Sequence, residues 1–222
     1  MSPPAGSELL VNDWQVNSPA DAAAAVVLAH GAGAPMDSPF MAAMAEGLAA
    51  CGWRVLRFEF PYMAKQRNTG RKSAPDCMPV LKDCFRAVAA DARRQGALFI
   101  GGKSMGGRIA SLLADELTDD LGVAGCLCLG YPFHPPGKPQ QLRTEHLAAL
   151  RTPTLILQSE RDPFGRREEV ETYTLSPQVQ VEWLPAGDHS FKPTKSSGLS
   201  EADNWQTAVS RADHFLRAVL AA

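Results

Sequence analysis

The stretch GALFIGGKSMGGR, residues 96–108, gathers glycine around one hydroxyl, that of Ser104. Two chemistries use such a pattern. Gly102-Lys103-Ser104 matches the end of a phosphate-binding loop. Gly102-Lys103-Ser104-Met105-Gly106 matches G-x-S-x-G, the sharp turn that presents a nucleophilic serine. The phosphate loop needs a glycine where Ala97 stands, followed by residues free to form a cradle. Leu98, Phe99 and Ile100 read instead as a buried strand. The serine turn needs a strand, a bend and a helix in succession, with small residues where the bend is crowded. Gly101, Gly102, Gly106 and Gly107 supply them.

A serine hydroxyl is a poor nucleophile without a base. Five histidines are available. His214 falls inside the last helix, His146 within the helical stretch LRTEHLAAL, and His30 opens HGAG. His134, in the turn YPFHPPG, is placed to line a site. His189, in PAGDHSF, follows a strand late in the chain, where the order nucleophile, acid, base puts the base. The acid should follow the preceding strand. LILQSERDPFG offers Asp162, in a turn shaped by Pro163 and Gly165, with Glu160 as the rival. Asp188 adjoins His189, but chain neighbours point apart, so it reads as a turn residue. Backbone N–H groups must receive the oxyanion. The candidates are Met105 and, from the glycine-rich HGAGAP, Ala32 first and Gly33 second. Such a set cleaves an acyl group from a small-molecule substrate through an acyl-enzyme, and calls for no metal and no organic cofactor.

These residues need a frame. Residues 24–29, 53–60, 97–101, 123–130, 153–158 and 179–184 read as strands, mostly unbroken apolar runs, and residues 7–16 as an edge strand. Helices are predicted from Ser38-Pro39 to Gly52, over residues 80–92, from about Gly107 to Leu117, and behind the capping box Ser200-Glu201-Ala202-Asp203. Residues 61–78 read as a long loop. Its Lys65, Arg67, Arg71 and Lys72 form a solvated face or a guide for anionic substrates. Alternating strands and helices predict a mostly parallel α/β sheet of about seven strands with helices on both faces, in a single domain over residues 1–222. Ligands of such sheets lie beyond the carboxyl ends of the strands.

Composition bounds the function. Hydrophobic residues make up 45% and charged residues 21%, and the net charge is −2. These are ordinary globular values that recommend neither nucleic acid nor an anionic membrane as partner. MSPPAGSELLVNDW shows no signal-peptide pattern, and the longest apolar run, AAAAVVLAHGAGA, is too short to span a bilayer. Five cysteines without framework spacing suggest reduced thiols and a cytoplasmic location. Cys126 and Cys128 read as small apolar residues on one strand face. Lys103 is a charge at a position usually neutral, and Glu59 is its candidate partner. Arg108 is either a solvated helix residue or part of the site.

The order HGAG, G-x-S-x-G, D-P-F-G, G-D-H-S-F resembles that of the α/β-hydrolase superfamily. HGAGAPMDSPFM, RFEFPYM, GGKSMGGR, GYPFHPPGKPQQLRTEHL and RDPFG are similar to phrases of the small lidless bacterial hydrolases related to testis-expressed protein 30 and to the hydrolase-like subunit of the NSL histone acetyltransferase complex. The shared phrases extend over residues 30–193. The resemblance implies an α/β-hydrolase fold, Ser104, Asp162 and His189 as triad, and a supporting role for His30. The activity it implies is that of a serine hydrolase on an ester or thioester. The eukaryotic relatives, which work as complex subunits, imply a catalytically idle scaffold as the alternative. The superfamily fold begins with two antiparallel strands, of which only residues 7–16 are readable. The proline-rich connection over residues 131–152 leaves no room for a cap. Tyr131, Phe133 and His134 are expected as one substrate wall, with Pro61 and Tyr62 opposite.

Overall fold

Strands covered on both faces read as short apolar runs with no polar alternation. In the computed structural model, which describes residues 14–19, 22, 24–93 and 96–222, four such runs form the middle of the sheet. They are β2 (Ala24–Ala29), β4 (Ala97–Lys103), β5 (Val123–Leu129) and β6 (Thr154–Ser159), buried almost throughout. Together with β1 (Gln15–Asn17), β3 (Arg54–Phe58) and β7 (Val179–Leu184) they make one seven-stranded sheet of order β1-β3-β2-β4-β5-β6-β7. All pairs are parallel except β1 with β3. Residues 7–13 of the expected edge strand lie outside the described residues.

Side chains alternate across the strands, and each face has its own helices. Ala25, Val27 and Ala29 of β2 pack with α3 (Met78–Ala92) and α4 (Met105–Leu121). Ala24, Val26 and Leu28 pack on the other side with α1 (Pro39–Ala50) and α6 (Glu201–Ala221). The capping box of α6 forms as expected. The Ser200 hydroxyl accepts from Asp203 N at 3.2 Å, and the Asp203 carboxylate accepts from Ser200 N at 2.8 Å. Such caps are worth about 0.5–2 kcal/mol.

Three expectations need correction. Residues 61–69 are not loop but a helix, α2 (Pro61–Thr69). Pro61 suits the first helical position, and the unbonded N–H of Tyr62 is satisfied by the distant Asp76 carboxylate at 2.8 Å. Only Tyr62 and Met63 of this helix are buried, so no apolar stripe announced it. Helix α4 starts at Met105 and runs to Leu121, longer than expected at both ends. The helical stretch around His146 is one 3₁₀ turn, Glu145–Ala148. The rest of the connection from β5 to β6 is irregular, without a cap domain. A four-residue helix, α5 (Arg167–Val170), follows β6. No helix among the described residues is long and apolar enough to cross a membrane.

Candidate active site

Between β4 and α4 the chain must reverse direction within one residue. Ser104 makes that bend with φ 52° and ψ −112°, a conformation that strains an L-residue by roughly 1–3 kcal/mol. Its N–H donates to Leu129 O at 3.0 Å, and its carbonyl accepts from Arg108 N at 3.0 Å. The first turn of α4 lies against the end of β2. A Cβ at Gly106 would stand 2.5 Å from Ala29 O and 2.7 Å from His30 O, so glycine alone fits there. Met105 opens the helix, and its N–H points out of the helix start without an intrahelical acceptor.

Asp162 follows β6 and is fully buried. Its Oδ1 accepts from Phe164 N at 2.9 Å, and its Oδ2 stands 2.7 Å from His189 Nδ1. Nδ1 therefore carries the imidazole proton and donates it to the carboxylate. Nε2 is left as an acceptor, 2.9 Å from Ser104 Oγ. The Phe164 ring lies 4.3 Å from the imidazole. Burial lowers the His189 pKa below 6.5, against the opposing hydrogen bond from Asp162, so the ring is neutral near pH 7. The His189 side chain is 22% exposed, and Ser104 is also part-exposed. The serine, histidine and aspartate predicted from sequence are thus brought together, each just after a strand.

The loop that carries His189 is tied down from several directions. Asp188 Oδ1 accepts from Ser190 N at 2.8 Å and Lys192 N at 3.1 Å, the turn role expected of it. Asn204 of α6 donates its side-chain amide to Pro185 O and Phe191 O at 3.1 and 2.8 Å. Trp205 Nε1 donates to Ser190 O at 3.1 Å. Glu160, the rival acid, accepts from Ala186 N and does not reach the imidazole. Asn204 and Trp205 were not expected near the site. The capping box and apolar face of α6 place them at the start of that helix but do not say what they touch.

His30 braces the loop opposite. Its Nε2 accepts from Phe60 N at 3.1 Å, so its Nδ1–H donates to Gly31 O at 2.7 Å. Tyr62 OH donates to Ala32 O at 3.1 Å. Ala32 and Gly33 are exposed at the mouth, with Gly31 buried behind them.

Of the expected substrate wall only Pro61 is partly open to solvent. Tyr131 and Phe133 are fully buried, and His134 and Tyr62 are each 3% exposed. Tyr131 OH donates to Arg143 O at 2.8 Å, and His134 lies 3.4 Å from the Glu169 carboxylate. The chain turns inward after β5 and adds Tyr131 and Phe133 to the core shared with α3 and α4, and Tyr62 enters the same core from the first turn of α2. Lys103 does not pair with Glu59. Strand β2 lies between their strands, and Glu59 is taken by Arg67 at 2.6 Å. The same Arg67 holds Asp37 at 2.9 Å, so this basic residue is committed structurally. Lys103 reaches instead to the carbonyl of His189. His214 is exposed on α6, and His146 Nε2 sits 2.9 Å from Ser111 Oγ. Arg108 is half-buried, and its Nε has no partner among the described residues.

The fold recurs in solved structures. A lidless α/β serine hydrolase from Xanthomonas campestris is 20% identical, with a TM-score of 0.65 over 90% of this chain and 88% of that one. Dienelactone hydrolase from Anabaena variabilis is also 20% identical, with a TM-score of 0.68 over 92% and 90% of the two chains. A thermophilic esterase from Thermogutta terrifontis is 18% identical, with a TM-score of 0.67 over 93% of each. The alpha/beta hydrolase domain family matches residues 22–217. That match takes in strands β2 to β7, the serine bend and both loops that meet it, and the chain belongs to the alpha/beta hydrolase domain family.

Proposed function

We propose that the protein is a serine hydrolase that cleaves a small ester or thioester through an acyl-enzyme. The observation that carries this reading is the unbroken pair of hydrogen bonds from Asp162 through His189 to Ser104, at 2.7 and 2.9 Å. Ser104 Oγ attacks the acyl carbonyl while His189 Nε2 takes its proton. Asp162 holds the Nδ1–H and stabilises the imidazolium that forms. The N–H groups of Met105 and Ala32 receive the oxyanion. The imidazolium then returns its proton to the departing alcohol or thiol, and the acyl group stays on the serine. Water, deprotonated by the same Nε2, releases the acid and restores the hydroxyl.

The uncapped site and the closed aromatic core favour short acyl groups. The finer kinship, to lidless bacterial hydrolases related to testis-expressed protein 30 and the NSL subunit, rests on the phrases GGKSMGG and YPFHPPGKP. Five unpaired cysteines suit a cytoplasmic setting.

A fluorophosphonate probe tests the activity. The expected result is a covalent adduct on Ser104 of the wild type and none on Ser104→Ala. A folded wild type that stays unlabelled would reject the hydrolase in favour of a catalytically idle scaffold on the same fold.

A further inference from the structure

Lys103 stands between the glycine and the serine of the bend, and no step above uses it. It is the last residue of β4 and is 9% exposed. Its Nζ donates to the backbone carbonyl of His189. The rings of Phe40 and Phe191 flank the ammonium, with centroids 5.2 and 5.7 Å away. Gly130 leaves space for it: a Cβ there would stand 2.7 Å from Nζ and 3.2 Å from His189 O. The fold therefore houses a charge where methionine could fill similar space. Taking an ammonium out of water is costly, and the hydrogen-bond partner this one finds is a carbonyl and not a carboxylate.

We infer that Lys103 is a positioning residue for His189, holding the backbone of that residue toward Ser104 and setting a positive charge beside its ring. The groups that face this charge are Asp162, after β6, and Asp188, in the same loop as His189. Burial pulls Lys103 down to about 8, so it is mostly an ammonium at neutral pH. The His189 ring is pulled down by burial and by Lys103, and up by Asp162 and Asp188. Removing the ammonium leaves the two carboxylates unopposed. The imidazolium is then favoured, and Nε2 stops accepting protons at a higher pH than before. The kinetic consequence rests on the hydrolase reading; the titration of the ring does not.

Lys103→Met in the full chain tests this, with the rate of fluorophosphonate labelling followed across the acid range. Labelling should slow about 10-fold or more near neutrality, and the midpoint of its acid limb should move up by about half a pH unit or more. A lysine that only fills space predicts an unmoved midpoint, and that result, at any rate of labelling, would overturn the inference. An unlabelled wild type would reject the hydrolase reading alone. The His189 imidazole titration by NMR, wild type against Lys103→Met, then decides, an unmoved ring pKa overturning the inference. Should Lys103→Met fail to fold, the wild-type His189 resonance decides. A second inflection near pH 8, where Lys103 loses its charge, supports the inference, and a single inflection overturns it.

Discussion

The carboxylate of Glu160 accepts the backbone N–H of Ala186 at 2.9 Å, so it holds the foot of the loop whose tip carries His189. The imidazole is served by Asp162 at 2.7 Å. Two carboxylates two residues apart therefore have separate tasks. Asp162→Asn should cut turnover about 10⁴-fold, because an amide no longer holds the required tautomer. Glu160→Gln keeps an acceptor oxygen for Ala186 and should leave most of the activity. Turnover of p-nitrophenyl acetate by both variants checks this. The reverse pattern would make Glu160 the acid.

Ser104→Ala should lose on the order of 10⁴-fold or more in turnover, since residues that act as a unit fail as a unit. The bend gives a second, independent readout. Alanine at φ 52° keeps the strain, whereas glycine relieves roughly 1–3 kcal/mol of it against a chain-entropy cost of about 0.5–1 kcal/mol. Ser104→Gly should therefore unfold at higher urea than Ser104→Ala. Equal midpoints would mean that the bend stores no strain.

Stability should fall on mild acidification. Burial lowers the pKa of His30 and His189 and takes His146 down to about 4. Each of these rings is more readily protonated in the unfolded chain, near pH 6.5, than in the folded one. Their contribution is complete above 6.5 and is lost as pH falls toward the folded values. The melting temperature should decline between pH 6.5 and about 4, less steeply in His146→Gln. A variant with the wild-type slope would clear His146 of any part in it.

An acyl series on p-nitrophenol should show no steady gain with length. A buried methylene is worth about 0.8 kcal/mol, but only where a tunnel receives it. Tyr131 and Phe133 are wholly enclosed and offer no such surface. A continuous rise of kcat/KM from acetate to long chains would point to an apolar channel formed on binding.

The interior strands were legible because AAVVLA and TLILQS are short apolar runs rich in branched residues, too short for a buried helix and suited to a doubly covered sheet. The meeting of serine, aspartate and histidine was legible because Ser104 and Asp162 follow two of those runs and His189 follows the later edge strand, in a fixed order. Helix α2 was not, because its supports are tertiary: Asp76 caps it from downstream, and Arg67 joins it to Glu59 and Asp37. Position after a strand places a residue at the right end of the sheet but does not say which way its side chain turns. That is why Tyr131 and His134 read as a wall and lie in the core. The partner of Lys103 could not be read either, since spatial strand order puts β2 between β3 and β4.

The clamp from α6 onto the His189 loop also has a meaning in time. Synthesis delivers β4 and its serine first, then the strand before Asp162, then the His189 loop, and only afterwards Asn204 and Trp205, which fasten it. A nascent chain that has not yet released α6 carries a serine whose base is unsecured. On the hydrolase reading, reactivity then arrives only with the helix that closes the fold, and the half-made chain is not yet armed.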